Sequence, residues 1–255
     1  MTEIRALYTL ILREIKRFLR DRARIVISFV QPLLWLVVFA AGFGARIAIP
    51  GIEYQQYLFP GIIGQTLLFT SMFMGVSVIW DKEFGFMKEV LVAPVSRFTI
   101  FLGKMFGDST AAMLQGVIVF AFGFILGIPF DPLTLFAALP IMLLITFGLV
   151  SLGLIIASFI GSLENFGAVQ TFVNLPLFFL SGALFPITGA GTPEWLRTAA
   201  MFNPLTYGID ALRSVILGSA WVPMNSLAVD IAVVGLFDLA MIVVGTWAFS
   251  RMGKK

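Results

Sequence analysis

The sequence predicts an all-α membrane protein of six transmembrane helices, with an amphipathic interfacial helix ahead of them and a re-entrant or interfacial helical hairpin before the last. Three observations carry this expectation. Of 255 residues, 59% are hydrophobic; the mean hydropathy is +1.00. The apolar residues stand in blocks of about twenty, enough for a ~30 Å hydrocarbon layer, and not at the spacing of a soluble core. Little remains outside these blocks, so residues 1–255 read as a single transmembrane domain.

The chain has no cysteine and no histidine. That excludes disulfides, thiolate or imidazole metal sites, Ser-His-Asp and Cys-His nucleophile systems and histidine pH switching, so neither a catalytic residue nor a metal site is expected. Nothing in the pattern calls for a nucleic-acid partner. The first apolar run begins only at Ile25, after a long charged helix, and continues for a full span, unlike a cleavable leader.

Residues 1–24 form the interfacial helix. At 100° per residue, Arg13, Lys16, Arg17, Arg20 and Arg24 share one face, while Ile4, Leu7, Ile11, Ile15 and Phe18 share the opposite one. A helix with that division rests in the headgroup layer of a bilayer. A solvated basic arm is the alternative. The six spans follow as Ile25–Ala45, Leu58–Trp80, Ser109–Ile128, Thr134–Ile160, Phe166–Phe185 and Leu227–Phe249. Pro140 and Pro176 suggest kinks within them and not ends. Fourteen Lys and Arg lie before the first span, in the 81–104 segment and in the tail, against Arg46, Arg197 and Arg213 on the other side. By the positive-inside rule both termini are cytoplasmic in a multi-pass plasma-membrane protein.

Residues 81–98 form a charged cytoplasmic loop, long enough for a short helix ended by Pro94. Phe84, Phe86, Met87, Val90 and Leu91 stand among Lys82, Glu83, Lys88 and Glu89. This mixture suits a protein-docking surface, or a solvated interfacial loop. Residues 186–226, on the outer side, are too long for a connector. Thr192 as N-cap with Pro193 at N1 opens one short helix; Asn203 as N-cap with Pro204 at N1 opens another, which stops at Gly218. In the second, Leu205, Ile209, Leu212 and Ile216 make a stripe beside Thr206, Asp210 and Arg213, and Asp210 can pair with Arg213 three residues on.

Inside the spans, Thr66, Thr70 and Ser77 share a face with Phe73, and Gln170, Asn174 and Ser181 repeat that spacing near Leu177. These polar points line either a cavity or a helix-packing seam. Gly103/Gly107 and Gly123/Gly127 have the spacing of close helix packing. Asp238, mid-span, is a costly carboxylate there: protonated, hydrogen-bonded to a neighbouring helix, or coupled to an ion.

Five segments carry a family resemblance: the basic N-terminal helix, YLFPGIIGQ at 57–65, KEFGFMKEVLVAPVSR at 82–97, FLSGALFPI at 179–187 and NPLTYGIDALR at 203–213. Together they resemble the type-2 export permeases of ATP-binding-cassette (ABC) transporters, in particular the multidrug, antibiotic-resistance and polysaccharide exporters. The resemblance implies that the charged loop is a coupling helix seated on a separate ATPase subunit, with Lys82, Glu83, Gly85, Leu91, Pro94 and Arg97 at the motif's positions and Phe86, Lys88 and Glu89 beside them. Many members carry Thr and Glu where this chain has Phe86 and Lys88, so contacts at those two positions do not transfer. It also implies that the second and fifth spans surround the path, and that Asn203, Pro204, Tyr207, Asp210 and Arg213 belong to an outer gate; a structural ion pair is the other reading of the last two. The chain has no G-x-x-x-x-G-K-[ST] phosphate loop, so ATP and Mg²⁺ are expected in the partner and no cofactor in this chain. The implied assembly is a permease homodimer in the lipid bilayer with two ATPase subunits, exporting drugs, lipids or lipid-linked glycans. An ion-gradient-driven secondary transporter using Asp238 and a non-transporting scaffold are the rival readings.

Overall fold

The computed structural model describes residues 3–20, 22–44, 47, 49, 51–128, 131–188 and 191–252, with the backbone alone for 22–29. The side chain of Arg24, and Ala45, Arg46, Lys254 and Lys255, on which parts of the expectation fell, lie outside the described residues. The described residues form helices α1 Glu3–Arg20, α2 Arg22–Phe43, α3 Tyr54–Met74, α4 Val76–Glu83, α5 Phe86–Val92, α6 Arg97–Ile125, α7 Thr134–Phe159, α8 Leu163–Phe179, α9 Glu194–Met201, α10 Pro204–Leu217 and α11 Leu227–Arg251. Among them no strand forms beyond an isolated bridge between Ile49 and Ile52.

Four stretches are long and apolar enough to cross a membrane: Tyr54–Glu83, Arg97–Ile125, Thr134–Phe159 and Leu227–Arg251. These match the second, third, fourth and sixth expected spans, with shifted ends. The helix of the third span starts at Arg97, because the Ser96 hydroxyl accepts from the Thr99 amide at 3.1 Å and caps it well before the apolar run. The second starts at Tyr54, where Glu53 and Gln56 form a capping box. The fifth ends at Phe179 and not Phe185, after 17 residues, and turns follow it. Pro140 and Pro176 both lie inside helices, as expected.

The centre of the bundle is α3, almost wholly buried, with Leu58, Phe59, Ile62, Ile63, Leu67 and Leu68 all inaccessible. Around it pack α2, α6, α7, α8 and α10, while α11 lies outside on α7, α10 and α6. Between α3 and α4 the chain passes Gly75, where a Cβ would sit 2.4 Å from the Gly153 carbonyl oxygen of α7. The absence of a side chain there lets the two backbones touch.

Gly103 and Gly107 do mark close packing: a Cβ at either would stand 2.7 Å from a Cβ of α1, that of Leu10 or Glu14. Gly127 instead takes a left-handed φ of 69° in the turn after α6. The buried side of α1 is Ala6, Leu10, Glu14 and Phe18, and Ile4 stays 78% exposed. Packing on α6 has thus turned the helix away from the expected apolar stripe.

Candidate functional site

Charge is concentrated where α1, α4 and α6 meet. Glu14, Asp81, Lys104 and Asp108 are each at most 4% exposed. The Lys104 ammonium donates to Glu14 at 3.0 Å and to Asp81 at 2.6 Å. Arg13 forks onto both carboxylate oxygens of Asp81 and reaches Glu14 at 2.8 Å, Arg17 stands 3.7 Å from Glu14, and Ser77 donates to Asp108 at 3.1 Å. Burying these ions is tolerable only because each has opposite charge and hydrogen bonds at hand. Two cations also cover rings, Arg13 over Phe86 at 3.8 Å and Arg17 over Trp80 at 4.6 Å. So Arg13 and Arg17 turn inward, while Lys16 and Arg20 remain exposed. Sequence reasoning missed Glu14 and Asp81. The visible signal was an acid, Glu14, beside Arg13 and one turn before Arg17 on the basic face.

Helix α5 hangs from this cluster. Gly85 joins it to α4 with φ 76°, a left-handed turn that suits glycine. It ends at Val92, with Ala93 extended before Pro94. Met87 is buried, Phe86 and Leu91 are half-buried, and Glu83, Lys88, Glu89 and Pro94 are exposed. Phe84, counted among the loop's apolar groups from the sequence, and Val92, which was not, are 83% and 84% exposed. Arg97 is half-buried at the start of α6. Lys82 points the other way: its ammonium donates to the carbonyls of Ala157, Ser158 and Ile160 at 2.8, 2.7 and 3.1 Å.

At the opposite end, α10 begins as expected. Asn203 accepts from the Leu205 amide at 3.0 Å, and its own amide donates to the Leu177 carbonyl of α8 at 2.7 Å. Pro204 follows at N1 and Gly218 closes the helix. In α9 the N-cap is Pro193, not Thr192, and Glu194 is the first helical residue. Tyr207 donates to the Met201 carbonyl at 2.9 Å. Leu205, Ile209, Leu212 and Ile216 are all buried.

Asp210 and Arg213, expected to pair, do not. Asp210 accepts from the Trp221 indole and the Met224 amide, both at 2.8 Å, and from the Asn225 amide at 3.3 Å. Arg213 donates to the carbonyls of Gly182, Ala183 and Tyr57 at 2.8, 3.2 and 3.3 Å, and covers the Tyr57 ring at 3.7 Å. The α8–α9 turn carries free carbonyls, and Arg213 satisfies those before a neighbouring acid that loop amides already hold. Tyr54 and Tyr57 strap the same turn through Leu184 and Gly182 at 2.8 and 2.6 Å.

The polar points of the spans are largely bonded within the chain. Thr66 donates to the Ile62 carbonyl at 2.8 Å, Thr70 bonds Gln115, and Ser77 meets Asp108. Ser181 donates to the Phe178 carbonyl at 2.6 Å. Phe73 is 39% exposed on α3. On the adjacent α8 Gln170 is half-buried, and Asn174, 2% exposed, leaves its carbonyl oxygen without a partner. Asp238, 5% exposed on α11, lies against Gly148 of α7, where a Cβ would come 2.3 Å from Oδ1.

A family model described as ABC-2 type transporter matches residues 5–217. The chain is 33% identical over 229 residues to the putative transport permease ycf38 of Cyanophora paradoxa, covering 88% of this chain and 78% of that protein. It is 30% identical over 191 residues to nodulation protein J of Rhizobium leguminosarum bv. trifolii, covering 74% and 72%. Against the inner membrane transport permease YadH of Escherichia coli (strain K12) the identity is 28% over 254 residues, covering 98% and 96%.

Proposed function

The chain belongs to the ABC-2 type transporter family, and from that premise we propose that it is the membrane subunit of an ATP-driven exporter. Counting α2 and α8 with the four longer stretches gives six spans. Both termini, α1 and α5 face the cytoplasm, and α9 and α10 face outward. Two copies meet two ATPase subunits in the plasma membrane, since two-fold symmetry presents two equal docking surfaces. ATP and Mg²⁺ are handled by the partner; this chain makes and breaks no bonds.

The observation that carries the reading is the free edge of α5, with Phe84 at 83% and Val92 at 84% exposure beside Glu83, Lys88 and Glu89. Exposed aromatic and aliphatic groups ringed by charge suit a protein partner, and the base they stand on is fixed by the Asp81 cluster. ATP-driven closure of the partner pair would push α5 and, through Arg13 and Phe86, α1. The path would run along α3 and α8, where Phe73 and Gln170 reach the protomer surface and a second copy could complete the lining. Such a surface favours a hydrophobic or amphipathic cargo: a drug, a lipid or a lipid-linked glycan.

The test is copurification with a candidate ATPase of the parent and of Lys88→Glu/Glu89→Lys, a double reversal that preserves net charge. Association should fall by about tenfold or more; undiminished association and unchanged ATP turnover overturn the docking assignment. One observation favours a second reading, an ion-driven carrier: the Asp238 carboxylate is buried with no side-chain hydrogen bond. Uphill transport by the permease alone, abolished in Asp238→Asn, would replace the first reading with this one.

A further inference from the structure

Asp81 and Lys82 are consecutive residues at the end of α4, yet they serve opposite sides. Asp81 enters the cluster with Arg13 and Lys104, whereas Lys82 spends its three ammonium protons on the carbonyls of Ala157, Ser158 and Ile160. Those carbonyls close α7, whose last residue is Phe159 and whose C-cap Ile160 is extended at φ −98° and ψ 139°. The final carbonyls of a helix have no intrahelical donor and gather partial negative charge, so the half-buried Lys82 ammonium holds them as a cap.

A second contact lies higher on the same pair of helices. Gly75, just before α4, touches the backbone of Gly153 in α7, so α4 is bound to α7 at both of its ends. The α4–α5 junction is itself tight, with Phe84 N–H to the Trp80 carbonyl at 2.9 Å and Lys88 N–H to the Gly85 carbonyl at 3.0 Å. At its far half α7 meets the hairpin: a Cβ on Gly208 of α10 would fall 2.7 Å from Ile145. The rise of an α-helix puts Ile145 roughly 20 Å from Ser158.

We propose that Lys82 is a positioning residue that makes the end of α7 move with α5, and that α7 carries this motion to the α9–α10 hairpin. The assignment rests on the reading of α5 as the ATPase-docking helix. It gives Lys82 a role distinct from docking, since its charged end is turned into the protomer. It also makes α7, and not the central α3 alone, the span that links the two ends.

The chain has no cysteine, so Phe159→Cys offers a single labelling point. Phe159 is 61% exposed and its ring lies 6.2 Å from that of Trp247 on α11, so a bimane there is quenched by the indole and reports displacement of the α7 end. The complex with its ATPase, in lipid nanodiscs, is compared with ADP and with ATP plus vanadate, in the parent, Lys82→Met and Lys82→Arg. The parent's quenching should change with nucleotide. Lys82→Met should keep the ATPase bound yet lose about fivefold or more of that change, in line with the loss of charge-assisted hydrogen bonds, and Lys82→Arg should restore over half of it. If Lys82→Met does not fold, Lys82→Gln, which retains two amide donors, replaces it with the same expected direction. An Lys82→Met response equal to the parent's, or a parent whose quenching ignores nucleotide, overturns the role of Lys82 and α7. Failure of the parent to hold any ATPase overturns the reading beneath it.

Discussion

At the basic end of the bundle Lys104 meets two carboxylates, whereas at the hairpin end Arg213 meets three carbonyl oxygens. Both cations are nearly inaccessible, at 2% and 4% exposure, so each must be neutralised locally. At the basic end charge answers charge across α1, α4 and α6, three helices that can separate only by baring an ion. At the hairpin end charge answers backbone dipoles: Arg213 holds the turn after α8, and Asp210 holds the loop before α11. Such contacts can be given up one carbonyl or amide at a time. The difference teaches that the basic end is built as one body and the hairpin end as a set of straps, which suits the lever and the gate of the proposed exporter.

The largest effect should come from breaking the body. Lys104→Met leaves Glu14 and Asp81 side by side in a buried site with only the partly exposed Arg13 and Arg17 to balance them, and removing one partner of such a network costs about 3–5 kcal/mol. The midpoint of thermal unfolding in detergent should drop further than for any single change at the hairpin end. Adding Glu14→Gln to Lys104→Met should recover part of the loss, because it removes one of the two adjacent negative charges. No recovery would mean that the network contributes packing and not charge balance.

The corresponding change at the hairpin end should be smaller. Arg213→Met takes one donor from each of three carbonyls, of which Gly182 keeps the Tyr57 hydroxyl, and leaves Asp210 held by its loop donors, so the loss should be about 1.5–3 kcal/mol, the scale of charged hydrogen bonds. Asp210→Asn added to it should show a smaller coupling than Glu14 with Lys104, because Asp210 and Arg213, though one turn apart, hydrogen-bond to different groups. A double-mutant coupling as large as that of Glu14 with Lys104 would erase the contrast and restore the direct ion pair that the sequence suggested.

That failed expectation marks what the sequence could tell. Helices were legible wherever one segment decides the outcome: apolar runs set the long spans, Asn203 and Pro204 set the start of α10, and Pro94 stops α5. Partners were not legible, because they come from elsewhere in the chain. The three-residue spacing of Asp210 and Arg213 permits a pair, but carbonyls near Gly182 lie closer to hand. A helical wheel sent Arg13 and Arg17 to lipid headgroups since it knows nothing of Asp81. The charged loop was legible as a segment, while the inward turn of Lys82 depends on where α7 ends.

The smallest effect tests whether the body extends to the tip of α1. Glu3 accepts from the Ser96 amide at 3.0 Å and the Ser96 hydroxyl at 3.2 Å, tying α1 to the start of α6. Hydrogen bonding, from the Thr99 hydroxyl first and then the Ser96 amide, holds the Glu3 carboxyl below its ordinary 4.5. A carboxyl whose pKa is depressed by folding stabilises the fold above its unfolded pKa and loses that contribution as pH falls through the depressed value. A spin label at Ile4→Cys, 78% exposed, should therefore keep constant mobility from neutral pH down to about 4.5 and become more mobile in stronger acid. In Glu3→Gln the label should be more mobile at neutral pH and indifferent to acid. Equal titration in both would detach the tip of α1 from the body, which would then begin at Leu10, where α1 meets Gly103.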